Sequence, residues 1–295
     1  MVSIIIPAKN ESQNIAQCLN AIYRQETETN FHFEIIVIDS GSTDHTIEII
    51  KKYPSVRLVQ IKPNEFGHGK TRNLGAEMGK GDYIVFLNAD AVPMNAHWLS
   101  SLIEPLIANQ NLAGVFSRHI PREDCFLYMV RDLQTSMPDQ TITRTKTRKM
   151  DSLLFSTVSA AMRKKTWQQF PFDNDIIIAE DQDWAKKVLN NGCSILYEPA
   201  SMVLHSHNYT PRQLMENKWK VGTAEGRFHN KFNVLITGFV LMIGGIIYKI
   251  LGDIIYILFQ TSQQIPFSHK LKEIKISLVA RAAGFWGRYT GWLNS

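Results

Sequence analysis

The stretch Val2-Ser3-Ile4-Ile5-Ile6-Pro7-Ala8-Lys9-Asn10-Glu11 decides the fold class of this chain. Its first five residues are apolar except for one serine, a pattern typical of a strand buried on both faces. Pro7 ends this run, polar residues follow from Lys9, and Glu11–Arg24 then carries apolar side chains at helical spacing. A buried strand that leads through a polar loop into an amphipathic helix predicts the first unit of a parallel α/β sheet.

The same alternation of strand and helix continues through the first hundred residues. Further strands are predicted at Glu34–Ile38, Val56–Ile61 and Asp82–Leu87, with helices after Asp44 and within Gly67–Gly81. Strands that alternate with helices pair in parallel through right-handed crossovers. Because ligands of such sheets bind outside the carboxyl ends of the strands, the polar loops that follow these strands are predicted to form one site.

The middle of the chain is less regular. We predict helices at Trp98–Ile107 and Glu180–Asn191, a basic loop at Thr141–Lys149, and strands at Leu153–Met162, Ser194–Tyr197 and Met202–His205. No internal repeat is visible, so a repeat architecture is not expected.

Composition limits the classes of function. The chain has 295 residues, of which 44% are hydrophobic and 20% charged, so it can bury a sizeable core. Its net charge of +5 suits nucleotide diphosphates or anionic lipid. Nucleic acid is not expected as a partner, because no basic run with interleaved aromatic residues is present. The three cysteines lack CxxC spacing, which argues against a zinc site or a disulfide framework and favours a reducing compartment. We expect no secretory signal, because the first residues carry no basic segment.

The last seventy residues differ from the rest in composition. Phe232–Tyr248 is a run of 17 uncharged residues, and Asp253 interrupts its continuation. A helix of that length spans roughly 25 Å, near the lower limit for crossing a bilayer. A full span, a re-entrant hairpin and a buried helix therefore stay open. The basic tail His269–Trp292 can lie on anionic lipid. We expect a catalytic domain over residues 1–230 and a hydrophobic, basic, helical region over 231–295 that associates with a membrane.

Two carboxylates end predicted strands and are candidates for binding a nucleotide. Asp90 in Asn88-Ala89-Asp90 follows a strand at once, and a carboxylate there can hold Mg²⁺ or Mn²⁺ against a diphosphate. Asp39 ends another strand and can accept the N3–H of a uracil or thymine ring, although an Asx turn explains it as well.

The stretch Gly67-His68-Gly69-Lys70-Thr71-Arg72-Asn73 is basic and rich in glycine. Lys70 or Arg72 can contact phosphate there. The stretch also imitates the end of a Walker A loop, but Asn64 stands where that motif needs glycine. A P-loop nucleotide hydrolase therefore remains an alternative, one that leaves Asp39 without a role.

Two further candidates lie near the end of the predicted catalytic domain. Glu180-Asp181 opens a helix that also carries Trp184, and a carboxylate there can act as general base for an acceptor hydroxyl. Acidic residues also simply stabilise helix N-termini. His205-Ser206-His207 follows a strand, and one imidazole can complete the coordination of a cation.

Together these motifs resemble the family 2 glycosyltransferases, which carry the GT-A fold, an α/β fold with a Rossmann-like, mostly parallel sheet flanked by helices. The resemblance covers roughly residues 1–230 and rests on the order of Ser3–Glu11, Asp39–Asp44, Asn88–Asp90 and Glu180-Asp181. It implies an inverting transferase that moves a sugar from a nucleotide-sugar donor to an acceptor hydroxyl.

The resemblance also implies roles for residues. Asp181 is the implied catalytic base, with Glu180 and Trp184 supporting the base or the acceptor. Asp90 and His205 are the implied metal ligands, with His207 as the alternative histidine. The implied nucleoside pocket is lined by Pro7, Ala8, Glu11 and Asp39. The further candidates for binding the nucleotide sugar are Lys70, Arg72, Asn88 and Ala89.

One departure bears on the metal: Asn88 stands where the family's DxD element has its first Asp, so strict metal dependence is in question. The QxxRW motif of processive members has no match here, which favours addition of single sugars. Phe66–Asn73 and Ser206–Thr210 look like segments of bacterial rhamnosyltransferases, which suggests a dTDP-L-rhamnose donor, with UDP-sugars as the alternative.

The expected acceptor is a glycan or a lipid-linked glycan in surface polysaccharide or glycolipid synthesis, at the cytoplasmic face of the cell membrane. Because Asn88 brings no charge, a non-catalytic sugar-nucleotide-binding subunit of a membrane glycan-assembly complex is a second hypothesis. The sequence does not indicate an oligomeric state.

Overall fold

The computed structural model describes residues 1–26, 32–146, 154–226, 239–262 and 264–294. The chain divides into two compact units. The first unit comprises Met1–Ile120, Ser136–Ile176 and Glu180–His205, and the second comprises Pro121–Thr135, Ile177–Ala179 and Ser206–Ser295. The first unit ends at His205, and the second unit also takes in two segments from the middle of the chain. The expected catalytic domain over residues 1–230 stays a prediction.

The described residues of the first unit form one nine-stranded sheet. Its strands are β1 (Val2–Ala8), β2 (Phe33–Asp39), β3 (Val56–Gln60), β4 (Tyr83–Leu87), β5 (Val92–Pro93), β6 (Leu112–Ile120), β7 (Ile142–Arg144), β8 (Ser159–Arg163) and β9 (Ser194–Leu204). Their order is β3-β2-β1-β4-β8-β6-β9-β5, and β7 pairs with β9.

Ten α-helices lie in the described part of the chain. They are α1 (Ile15–Tyr23), α2 (Thr46–Ile50), α3 (His68–Met78), α4 (Trp98–Ala108), α5 (Leu127–Ser136), α6 (Lys164–Gln169), α7 (Glu180–Asn190), α8 (Pro211–Gly226), α9 (Phe239–Ile255) and α10 (Phe267–Leu293). A π-helical turn, Tyr256–Gln260, follows α9. Helices α8 to α10 and nearly all of α5 belong to the second unit.

The central position of β1 confirms the α/β prediction. Ile4, Ile5 and Ile6 are fully buried, as expected for a strand covered on both faces. β1 pairs in parallel with β2 and with β4, and Ala8 lies opposite Asp39. The carboxyl ends of β1, β2 and β4 therefore meet at one edge of the sheet.

The second half of the sheet is mixed, which the sequence did not indicate. β8 runs antiparallel to both β4 and β6, and β5 and β7 run antiparallel to β9. Half of the strand pairings are therefore antiparallel. β6 was not predicted, and β7 lies inside the predicted basic loop, of which residues 147–149 fall outside the described residues.

The second unit is helical where the structure describes it. α8 and α10 approach closely at Gly287, where a Cβ atom would collide with the carbonyl oxygen of Met215. Of the predicted apolar run Phe232–Tyr248, residues 232–238 lie outside the described residues, and the remainder begins α9. Ile243–Gln260 is long and apolar enough to cross a membrane by length and composition.

Candidate active site

The loops after β1 and β2 are tied together at the carboxyl edge of the sheet. The backbone N–H of Asn10 donates to Ser42 Oγ over 2.8 Å, and that of Thr43 donates to Asn10 Oδ1 over 2.8 Å. The backbone N–H of Glu11 donates to Thr46 Oγ1 over 2.7 Å. Asn10 adopts a positive φ of 56°, a conformation that asparagine tolerates better than most residues. These contacts make the two loops one rigid wall.

Asp39 is fully buried in this wall. Its Oδ1 accepts hydrogen bonds of 3.0 Å from the backbone N–H groups of Gly41 and Ser42, and Oδ2 accepts one from the Ser42 hydroxyl. Gly41 has φ of 87°, which the turn requires. The carboxylate thus forms the Asx turn that the sequence allowed. A carboxylate has about four acceptor positions, so binding of a base N3–H stays a prediction.

The other predicted nucleoside residues lie along the same wall. Pro7 and Ala8 end β1, where Pro7 is half-buried and Ala8 is 5% exposed. Glu11 is half-buried, and its Oε2 accepts a hydrogen bond of 2.9 Å from Asn14 Nδ2.

Arg72 is buried, with 5% of its surface exposed. Its Nη1 donates to Glu180 Oε1 over 3.0 Å and to the His68 carbonyl over 3.0 Å, and its Nη2 donates to Asn88 Oδ1 over 2.9 Å. Nη1 and Nη2 are therefore held by protein partners, whereas the buried Nε has no hydrogen-bond partner among the described residues, and the phosphate contact of Arg72 stays a prediction. Lys70, in the first turn of α3, is exposed and remains the better candidate for that contact.

Asp181 reaches the same edge through the loop before β8. Because β8 is antiparallel to β4, Ser159 lies opposite Leu87, and the residues before it lie at the carboxyl end of β4. The Thr157 N–H donates to Asp181 Oδ2 over 3.3 Å, and the Gln182 N–H donates to Oδ1 over 2.8 Å. Thr157 was not predicted as a site residue, because its role depends on this antiparallel pairing.

Asp181 sits in an environment suited to a base. Burial raises the pKa of its carboxyl group, and the neighbouring Glu180 carboxylate raises it further. Arg72 and the two backbone N–H groups act in the opposite direction on this pKa, and the net shift is upward. A carboxylate with a raised pKa is a stronger proton acceptor at neutral pH than an ordinary aspartate.

Trp184 packs in the core behind the N-terminus of α7. Its side chain is fully buried, its Nε1 donates to the Phe170 carbonyl over 2.9 Å, and its ring lies 4.7 Å from that of Phe155. The indole therefore packs in the core and is not presented to an acceptor. Support of the α7 N-terminus is the part of its predicted role that fits this position.

Asp90 and His205 come together at the end of β9. Val92 in β5 pairs with Leu204 in β9, and this pairing brings the preceding Asp90 beside the following His205. Asp90 Oδ2 lies 3.6 Å from His205 Nε2. Two atoms that bind one divalent ion at roughly 2.0–2.2 Å each lie about 3–4 Å apart, so this pair fits a shared cation. Of the other residues predicted here, Ala89 is buried, with 2% of its surface exposed. His207 belongs to the second unit.

His119 is a neighbour of this pair that the sequence did not reveal. It lies on β6, is 7% exposed, and its ring packs edge-on against that of His205 with centroids 5.3 Å apart. Burial, and then the proximity of His205, lower the pKa of His119 well below its usual value. It is therefore a neutral packing partner. The only available signal was a polar residue in a strand that was itself not predicted.

Comparison with known proteins agrees with this geometry. The family model described as "Glycosyl transferase family 2" matches residues 3–170. The O-antigen chain rhamnosyltransferase WbaN of Salmonella anatum is 30% identical over 226 residues, covering 75% of this chain and 70% of WbaN. RfbN of Salmonella typhimurium, with the same description, is 29% identical over 231 residues, covering 75% and 71%.

Solved structures show the same fold. The mannosyltransferase PcManGT from Pyrobaculum calidifontis, in complex with GDP-Man and Mn²⁺, has a TM-score of 0.61 at 16% identity, covering 97% of this chain and 87% of that one. Staphylococcus aureus TarS 1–349 in complex with UDP-GlcNAc has a TM-score of 0.58 at 18% identity, covering 92% and 70%. Neither a P-loop hydrolase nor a non-catalytic subunit is favoured by these findings. The chain belongs to glycosyl transferase family 2 and is a glycosyltransferase.

Proposed function

We propose that the chain is an inverting, non-processive rhamnosyltransferase that moves L-rhamnose from dTDP-L-rhamnose to a hydroxyl of a lipid-linked glycan. The two Salmonella relatives are both described as O-antigen chain rhamnosyltransferases. The stretch Phe66–Asn73 supports the same sugar. UDP-sugars remain the alternative donors, because one structural neighbour is a complex with UDP-GlcNAc.

The observation that carries the proposal is Asp181, a carboxylate with a raised pKa at the edge where β2 ends with Asp39 and β4 ends just before Asn88. Asp181 accepts the proton of the acceptor hydroxyl while that oxygen attacks the anomeric carbon. The bond between this carbon and the diphosphate oxygen breaks, and the nucleotide diphosphate leaves with the electron pair. A single displacement of this kind inverts the anomeric configuration.

A divalent cation, Mg²⁺ or Mn²⁺, belongs to the proposed site. Asp90 and His205 would hold it, since a carboxylate oxygen and an imidazole nitrogen suit such an ion and lie 3.6 Å apart. When bound, it supplies positive charge against the diphosphate. Lys70 adds a further cation from α3.

The donor pocket is proposed along the wall formed by the β1 and β2 loops. Pro7, Ala8, Glu11 and Asp39 would face the nucleoside, and Asn88 and Ala89 would contact the ribose or the diphosphate. Holding the donor and the acceptor in line supplies much of the acceleration that such an enzyme needs.

The proposed place of action is the cytoplasmic face of the cell membrane. Ile243–Gln260 is long and apolar enough for membrane contact, and a lipid-linked acceptor would be found there. The glycan synthesised would be a surface polysaccharide or a glycolipid.

A direct test compares donors and a matched substitution. The purified chain is given radiolabelled dTDP-L-rhamnose, UDP-glucose or UDP-GlcNAc with lipid-linked acceptors and Mn²⁺. We expect transfer from the dTDP-sugar, and a loss of roughly 10²–10⁴-fold in Asp181→Asn with donor binding unchanged. Normal turnover in that variant would refute the assignment of the base. Transfer only from a UDP-sugar would refute the donor and leave the base assignment standing.

A further inference from the structure

α9 presents an apolar stripe on one side and buries its acid on the other. We define the α9 stripe as Ile247, Tyr248, Leu251, Ile255 and Phe259, whose exposed fractions range from 51% to 78%. Ile247, Leu251, Ile255 and Phe259 follow one another at intervals of four residues and Tyr248 adjoins the first, so they share one side of α9 and of the π-helical turn that continues it and holds Phe259. Asp253, on the opposite side, is fully buried. A continuous exposed stripe of this kind marks a surface of interaction.

The buried side of α9 is held by an ionic cluster within the second unit. Asp253 accepts hydrogen bonds from Arg281 Nε (2.8 Å) and Nη2 (2.9 Å), from Arg131 Nη1 (3.0 Å) and from Ser277 Oγ (2.6 Å). Arg281 also donates to Asp132 over 2.6 and 3.0 Å. The one acid of α9 is thereby satisfied by α5 and α10.

This cluster bears on how α9 can meet a bilayer. Crossing the membrane would either draw Arg131 and Arg281 into the hydrocarbon with Asp253 or separate Asp253 from them. Both alternatives are unfavourable for buried charges. Lying along the surface keeps the cluster intact and still removes the α9 stripe from water.

The sign of the exposed charges near α9 indicates which kind of partner covers the α9 stripe. Over the described residues from 239 to 294 the acids are Asp253 and Glu273, which are 0% and 5% exposed. The exposed Lys and Arg side chains of this stretch are Lys249, Lys272, Lys275 and Arg288, of which Lys249 also lies 3.6 Å from Asp132 of α5. Its fixed charge toward solvent is therefore positive. A second copy of the chain would bring like charges together, whereas anionic lipid headgroups would neutralise them.

The neighbouring helix has the same character. On α10, Leu271, Leu278, Val279 and Trp286 are 41–54% exposed and lie on the same side as Lys272 and Lys275. Apolar side chains interleaved with lysines are typical of helices that lie in the interface of an anionic membrane.

We propose that the second unit docks on an anionic lipid surface, with α9 lying along the surface through the α9 stripe instead of crossing the bilayer. This rests on the proposed function only in placing the enzyme at a membrane. The occupant is a bilayer that contains acidic phospholipid. The Asp253 cluster keeps α9 joined to α5 and α10 while the stripe enters the interface.

Sedimentation with vesicles tests the docking, with the full chain and no donor or acceptor. We expect binding to vesicles with 30% phosphatidylglycerol, a composition chosen for the test. The partition coefficient on pure phosphatidylcholine should be lower by roughly tenfold or more. Leu251→Ser/Phe259→Ser and Lys272→Glu/Lys275→Glu should each lower the partition coefficient by roughly tenfold or more. The matched control Met94→Ser/Ile107→Ser removes two exposed apolar side chains from the first unit and should bind like the unaltered chain.

Circular dichroism establishes that each variant is folded before its binding is compared. Equal binding by all variants, or no binding to anionic vesicles, would overturn the proposal. A dimer in lipid-free solution that Leu251→Ser/Phe259→Ser dissociates would assign the stripe to a second copy instead. None of these results affects the transfer assay, so failure of the docking is distinguishable from failure of the proposed function.

A labelling experiment distinguishes a helix α9 that lies along the membrane surface from one that crosses the bilayer. Gly245→Cys and Gln260→Cys place a thiol at either end of the apolar segment, each in a Cys193→Ser background, because Cys18 and Cys125 are buried. In sealed inside-out membrane vesicles, both thiols should react with a membrane-impermeant maleimide. Protection of one of the two ends until detergent is added would show a crossing helix and refute the orientation.

Discussion

Arg72 and Asn88 are joined by a hydrogen bond of 2.9 Å, in which the guanidinium Nη2 donates to Asn88 Oδ1. An arginine donor fixes the orientation of the amide, so the Asn88 carbonyl oxygen faces Arg72 and its NH₂ group is turned away. The first position of the family's DxD element thereby offers a hydrogen-bond donor in this chain. A carboxylate in its place would be held by the same guanidinium.

The first prediction concerns this position and the metal. Asn88→Asp should change the Mn²⁺ concentration for half-maximal activity by less than roughly threefold, because Arg72 would pair with the new carboxylate. A titration of activity with Mn²⁺ measures this. A gain of tenfold or more in apparent Mn²⁺ affinity would show that this position reaches the ion directly.

The second prediction concerns the proposed metal ligands. Removing divalent ions with EDTA should abolish transfer, and Mn²⁺ should restore it. Asp90→Ala and His205→Ala should each raise the Mn²⁺ requirement by roughly 10–100-fold, because each removes a ligand. His97→Ala, at an exposed histidine, is the matched control and should titrate like the unaltered chain. Unchanged titrations in both ligand variants would exclude the Asp90–His205 site.

The third prediction is a pH dependence. Burial and the Glu180 carboxylate raise the pKa of Asp181, and only its deprotonated form can accept a proton. The transfer rate should therefore fall with decreasing pH at a value above the range of about 4 that is usual for aspartate. Glu180→Gln removes the neighbouring charge and lowers the Asp181 pKa. The acidic limb of the pH–rate profile, where the rate falls, should therefore move to lower pH. A limb that stays in place or moves upward would contradict the assignment.

The fourth prediction concerns the buried pair of Arg72 and Glu180, whose side chains are 6% and 5% exposed. Arg72→Ala leaves the Glu180 carboxylate buried without its counterion and should lower the free energy of unfolding by roughly 3–5 kcal/mol. Urea denaturation measures the change. The control Arg118→Ala removes a partner of the exposed Asp139, a kind of pair worth only about 0–1 kcal/mol. Similar losses in both variants would mean that the Arg72 pair is not a structural element.

The fifth prediction concerns the cluster in the second unit. Asp253→Ala should destabilise this unit by roughly 3–5 kcal/mol, because Arg281 and Arg131 lose the carboxylate that they share. Thermal unfolding followed by circular dichroism shows the loss. Asp82→Ala breaks only an exposed pair with the amino terminus, and its melting temperature should stay within measurement error. A stable Asp253→Ala variant would show that packing alone holds α9.

Much of the first unit follows from local patterns. Val2–Ile6 and Tyr83–Leu87 carry apolar side chains at successive positions, so their burial as central strands was predictable. The Glu180 helix was predictable from its apolar spacing and from Gly192 at its end. The mixed half of the sheet was not, because β6 and β8 obtain their partners from distant segments and no short-range signal specifies an antiparallel insertion.

The sequence by itself determined the α/β class, and it predicted a site built from the loops that carry the carboxylates Asp39, Asp90 and Asp181, since strand periodicity and the position of a polar residue after a strand are local properties. Only the tertiary structure decided which charged side chains turn inward and which partners they pair with. Arg72 turned inward to Asn88 and Glu180 instead of outward, and Asp253 became the buried partner of Arg131 and Arg281. The physical reason is that a buried charge requires a partner, and that partner comes from a segment far away in the chain, brought near only by folding.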